Sequence, residues 1–233
     1  MVQMLGIMLQ GAVISLEVFF LTLLFALPLA MPLAFGRMSR HKVVRGAING
    51  YLLIMRGTPL ILQLIFIYFA PKYLYKALHD RFGTVLLSPE FWQFLRFVLS
   101  YDRFIAVIIA FVLNYAAYFA EIYRGGIESI PKGQYEASKV LGFTPPQTFG
   151  RIVLPQVIKR ILPSAGNEVI TLVKDTALAQ TIGVAELFHT AQNASAREFS
   201  TLPIFIAGMF YLIMNWVISL TFTWYEKKLS YYE

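Results

Sequence analysis

Long apolar runs alternate with short polar stretches along this chain, and the runs are longer than the core helices of a soluble domain require. The first covers about 11–35, enough for a bilayer core that needs about 20 helical residues. Further runs at about 51–75, 104–123, 161–187 and 202–225 predict five membrane-spanning helices in one transmembrane domain, 1–233. Pro28 and Pro32 fall inside the first run, where a lipid-embedded helix tolerates a kink if neighbours satisfy the freed carbonyls. No Lys or Arg stands in residues 1–16 and the run is too long for a cleaved signal peptide, so the first helix is expected to be retained.

The connecting stretches carry the orientation. Arg37, Arg40, Lys42 and Arg45 follow the first run, Arg124 to Arg160 includes six basic residues after the third, and Lys227 and Lys228 follow the fifth. The positive-inside rule then predicts an outside N-terminus and a cytoplasmic C-terminus. The outer stretch 70–103 balances its charges and is rich in Phe, Tyr and Trp, as an interfacial segment containing a surface helix would be. Composition agrees: 58% of residues are hydrophobic and only 14% charged, and the net charge of +7 is explained by loop topology rather than by nucleic acid. With no cysteine there is no thiolate metal site or thiol nucleophile, and His41, His79 and His189 are scattered among the connections, so no metal site is expected.

One polar segment, QYEASKVLGFTPPQTFGRIVLPQ from Gln134 to Gln156, lies within the basic loop 124–160. Ala137, Val140 and Leu141 share a helical face, Gly142 suits a left-handed helix end, and Thr144 and Gln147 have capping-box spacing with Pro145 at the first helical position. The segment therefore reads as helix, glycine corner, helix, interrupted by Pro155. It resembles the EAA loop of bacterial ABC-importer permeases, matched by Glu136, Ala137, Ser138, Gly142, Ile152, Leu154 and Pro155, with Ser138 in place of the second alanine. RGTPLILQLIFIYFA, AAYFAEIYRGGIESIPKGQYEA and LPSAGNEVITLVKDTALAQTIGVAEL are similar to permeases of the polar amino acid uptake family.

That resemblance implies an all-α integral membrane protein with the type I importer permease fold, in a bacterial inner membrane. It implies ABC ATPase subunits, a second permease subunit (identical or related), an extracytoplasmic amino-acid-binding protein and membrane lipid as partners. No phosphate-binding G-x-x-x-x-G-K-[ST] loop occurs here, so ATP and magnesium are expected on the ATPase, with no cofactor and no catalytic residue in this chain. The loop residues are then the coupling contact, with Glu136 either anchoring to the ATPase or capping its own helix. For the substrate pathway the sequence offers Glu168, Lys174, Asp175 and Thr176 in the fourth run, with Asn114, Arg56, Thr58 and Gln63 behind them. An intramembrane charge requires a partner or a wet path, so each charged group is either a ligand contact or half of an interhelical ion pair. Asn114 either meets a ligand or ties two helices, and Arg56 either lines the path or snorkels to the interface. Glu17 is expected near the outer boundary. The rival readings are a secondary transporter or channel subunit, which leaves the spacing from Glu136 to Pro155 unexplained, and an importer permease for another small zwitterion such as an osmolyte or opine.

Overall fold

The computed structural model describes residues 2–83 and 88–229, and the regular structure among them is helical. The helices are α1 (Val2–Arg37), α2 (Lys42–Gly57), α3 (Leu60–Phe82), α4 (Pro89–Leu99), α5 (Arg103–Glu128), α6 (Lys132–Val140), α7 (Pro145–Thr148), α8 (Leu154–Asp175), α9 (Leu187–Glu198) and α10 (Leu202–Leu229). α1, α5 and α10 are each long and apolar enough to cross a membrane, and α2 with α3 forms a fourth such element bent by 109°. α8 has the length but carries Lys159, Arg160, Glu168, Lys174 and Asp175, which makes it amphipathic.

α5 is the central helix, burying Ala106, Ala110, Phe111, Tyr115, Ala117, Phe119 and Ala120. α1 meets it along Val18, Thr22, Ala26, Ala30 and Ala34, spaced four apart and all fully buried. In a lipid setting, small residues at this spacing let two backbones approach and gain dispersion contacts that hydrophobicity alone does not supply. The other α1 face shows Phe20, Leu24 and Phe25, and α10 shows Leu212, Trp216 and Leu220, as surfaces destined for hydrocarbon or another subunit do. Gly126 and Gly166 allow two further close crossings: an added Cβ would stand 2.3 Å from Ile161 Cγ2 and 2.9 Å from Phe222 Cδ1.

Two of the expected runs are not single α-helices. The run 51–75 is divided at Thr58–Pro59, because Pro59 forces its predecessor into an extended conformation (φ −119°, ψ 147°) and ends α2. The run 161–187 is α-helical only to Asp175, after which Thr176–Ile182 tightens into a 3₁₀ helix closed by left-handed Gly183.

On the outer side, Tyr101 donates to the Ile67 carbonyl and the Arg103 guanidinium lies on Tyr68 Oη (3.5 Å), so α5 begins level with the middle of α3. The last turns of α3 therefore continue about 20 Å beyond that level at 1.5 Å per residue. α4 folds back on them through Trp92, which sits edge-on to Tyr75 and His79. The outer stretch is thus mostly an extension of α3 plus one surface helix, with 84–87 outside the described residues. Glu17 lines a cleft of about 580 Å³ beside Arg103 and Tyr68 at this same level.

Candidate functional site

The break between α2 and α3 frees backbone carbonyls within the bilayer-crossing region, where each must find a donor. Gln63 Nε2 donates to the Met55 carbonyl (2.9 Å), the Thr58 carbonyl (3.1 Å) and Thr58 Oγ1 (2.8 Å). Asn114 Nδ2 reaches across from α5 to the same Met55 carbonyl (2.8 Å) and to Gln63 Oε1 (3.0 Å). Of the two roles open to Asn114, its amide nitrogen performs the helix-tying one.

Beside this knot is a cleft of about 620 Å³, to which Arg56, Thr58, Asn114, Tyr115, Glu168 and Asp175 contribute. Glu168 and Asp175, two helical turns apart on α8, face it together. Tyr115 Oη donates to Asp175 Oδ2 at 2.7 Å. Glu168 is half-buried and makes no hydrogen bond or ion pair among the described residues. A second cleft of about 630 Å³ shares Arg56, Tyr118 and Glu168 and runs on to Ser129 and Arg160 at the end of the helix bundle. Lys174 is exposed and outside both linings, and Thr176 is buried with its hydroxyl donated to the Val173 carbonyl (2.7 Å). Gln63 belongs to the knot behind the cleft wall.

Two residues that sequence reasoning did not single out organise the ends of the bundle. Near the inner end of α5, Glu121 pairs with Arg37 Nε (2.9 Å), Arg56 Nη1 (3.3 Å) and Arg124 Nη2 (3.1 Å), arginines from three helices. Arg124 also pairs with Glu128, and the Arg56 guanidinium lies 5.4 Å from the Tyr118 ring centroid. Arg56 thus borders the cleft and is held on a carboxylate. The available signal was a glutamate embedded at the end of an apolar run, three residues before Arg124. At the opposite end Glu186, fully buried, caps α9 by accepting from the Phe188 and His189 amides (both 2.7 Å). Tyr211 Oη (2.9 Å) and Ser15 Oγ (3.3 Å) also donate to it, so α1, α9 and α10 meet on one carboxylate.

At the inner end α6, a glycine corner and α7 form a helical elbow. Gly142 adopts φ +77°, and the Thr144 amide donates to Gln147 Oε1 (2.9 Å) to start α7. Pro155 does not interrupt the helix that leaves the elbow. Phe149–Val153 widens into a π-helical turn in which the Leu154 amide reaches the Phe149 carbonyl, and α8 continues from it. The wider turn accommodates a proline that lacks an N–H and would otherwise crowd the carbonyl four residues back. Ile130, Val153 and Val157 form a small buried cluster, Phe149 meets Phe35 edge-on at 5.5 Å, and Arg160 donates to the Ser129 carbonyl. The elbow is thereby fixed to α1, α5 and α8. On its outward side Ser138 alone of α6 is buried, whereas Val140 (88%) and Leu141 (72%) are exposed. Glu136 is exposed, caps nothing, and has no hydrogen bond or ion pair among the described residues.

Comparison with known proteins gives this arrangement its class. Residues 26–231 match the family of binding-protein-dependent transport system inner membrane components, and the chain belongs to that family. It is 36% identical to the arginine ABC transporter permease protein ArtM of Haemophilus influenzae, over 98% of this chain and 95% of that one. It is 35% identical to the nopaline transport system permease protein NocM of Agrobacterium fabrum, over 88% of this chain and 80% of that one. A solved amino acid ABC transporter with histidines superposes with a TM-score of 0.79 at 28% identity, covering 98% of this chain and 96% of its own. The chain is thus an all-helical permease subunit of an ABC transport system, a transport component rather than an enzyme.

Proposed function

We propose that this permease imports a polar amino acid or a closely related zwitterion across a bacterial inner membrane. It works by alternating access in a complex with ABC ATPase subunits, a second permease subunit and an extracytoplasmic binding protein. The reading rests on one observation: a polar cleft between α2, α5 and α8, with Glu168 unpaired among the described residues and Asp175 held by Tyr115, leads down to a helical elbow whose outward face is exposed. An ammonium group suits Glu168, which as a half-buried intramembrane carboxylate gains most from a cation. Arg56 suits the carboxylate. The cargo class is supported by the arginine and nopaline permeases among the relatives, and nopaline, an opine, keeps the cargo wider than the common amino acids.

In this scheme α6 docks in a groove of the ATPase as a short amphipathic helix, with Glu136 as its polar anchor and Val140 and Leu141 as its apolar contacts. ATP and magnesium are held by that partner. Closure of the partner drags the elbow, and the rigid attachment through Ile130, Val153 and Val157 passes the motion to α5 and α8. Ala137, Ser138, Gly142, Ile152, Leu154 and Pro155 shape the elbow, and five crossings, α1, α3, α5, α8 and α10, carry it. In the reconstituted complex Glu168→Gln and Asp175→Asn are expected to lower substrate-stimulated ATP hydrolysis while basal hydrolysis persists. Equal loss of both would reassign the two carboxylates to structure.

A further inference from the structure

Arg56 and Glu168 line the same two clefts yet form no ion pair, while Arg56 is held on Glu121 at 3.3 Å. Both arrangements leave a charge incompletely balanced. Glu121 holds three guanidinium groups, with Glu128 taking part of Arg124, so the cluster carries a surplus of positive charge. Glu168 is a half-buried carboxylate on a membrane helix, with no hydrogen bond or ion pair among the described residues. Of the three arginines on Glu121, Arg56 is the most exposed at 41% of its side chain, and it is the one of the three that also borders the cleft. It stands next to Gly57 and the extended Thr58, the turn at which α2 and α3 bend by 109°, and the Met55 carbonyl beside it is tied to Gln63 and Asn114, so α2 carries Arg56 toward α8 together with that knot.

We propose that Arg56 is a two-position gate charge, resting on Glu121 while the cleft is open toward the elbow and on Glu168 when the empty cleft closes, with Glu121 as its positioning residue. This deepens the proposed function and rests on it. When cargo brings its own cation to Glu168, Arg56 stays on Glu121 with its exposed side toward the cargo carboxylate; when the cleft is empty, Arg56 neutralises Glu168 and bridges α2 to α8 so that no unpaired carboxylate is left in a closing, low-dielectric space. Arg37 and Arg124 make the resting position responsive. They tie Glu121 to the last turn of α1 and to the end of α5, which runs directly into the elbow, so elbow movement changes how tightly Glu121 holds Arg56.

The test uses the complete reconstituted complex without cargo, so that it stands apart from the identity of the substrate. Because the chain has no cysteine, spin labels can be placed at Leu53 on α2 and at Lys174 on α8, both exposed and outside the cleft linings. The interlabel distance is expected to be long without nucleotide and to shift shorter in the ATP–vanadate state. Glu121→Gln shifts it shorter even without nucleotide, and adding Glu168→Gln to Glu121→Gln restores the long distance. Arg56→Gln loses the shift altogether. An unchanged nucleotide-free distance in Glu121→Gln, or a full shift retained in Glu168→Gln, overturns the gate. If the distances follow this pattern while no amino acid is transported, the gate stands and the cargo assignment falls.

Discussion

At the scale of single residues, the clearest constraints come from places where one atom too many or one donor too few has a defined consequence. Gly126 faces Ile161 so closely that Gly126→Ala must push α5 and α8 apart, an overpacking cost of about 1–3 kcal/mol. A lowered thermal midpoint of the detergent-solubilised protein, recovered in Gly126→Ala with Ile161→Ala, is the expected outcome; no recovery would place the strain elsewhere. Gln63→Leu removes the donor that serves three acceptors at the helix break and should cost about 1–3 kcal/mol, with Asn114→Leu doing the same through the shared Met55 carbonyl. Because both act on one knot, their double mutant is expected to lose less than the sum of the two. Additive losses would show that the knot is not a unit. Asn114 illustrates why residue roles were only half legible in the sequence. An asparagine in an apolar helix announces that it is bonded, but not whether the partner is a ligand or a carbonyl freed by a proline on another helix.

At the scale of elements, local chemistry that lies close in sequence was readable. The glycine corner at 142, the start of α7 at Thr144 and the amphipathic α6 each arise from relations between residues no more than four positions apart. The unreadable part required knowing how a helix copes with a neighbour. Pro155 looks like a breaker, yet a π turn upstream absorbs it; Pro59 looks like part of a span, yet it ends α2. Gly142→Ala places a Cβ at φ +77° and is expected to lower stability by about 1–2 kcal/mol, measurable as faster protease cleavage between α6 and α7. Cleavage at the wild-type rate would argue that the corner relaxes. Glu186→Ala leaves two amide donors of α9 and Tyr211 without their shared acceptor, and increased hydrogen exchange confined to α9 is the predicted signature.

At the scale of the whole molecule, hydropathy and loop charge delivered the helical membrane class and the order of the apolar elements. The partners of the two carboxylate hubs were not legible because each hub joins helices far apart in sequence: Arg37 to Glu121 spans α1 to α5, and Ser15 to Glu186 spans α1 to α9. Single cysteines at 39 and 133 should react from the cytoplasmic side and one at the exposed Phe97 from outside; reversed labelling would invert the proposed orientation. An outer cysteine at 85 would fall outside the described residues. The central claim is that the elbow passes work from an ATPase to the cleft. It is tested most directly by the amount of cargo taken up per ATP hydrolysed in proteoliposomes carrying Glu136→Arg. The expected result is loss of cargo-stimulated hydrolysis and of uptake in a permease that remains folded and inserted; wild-type uptake per ATP in that variant would contradict the account.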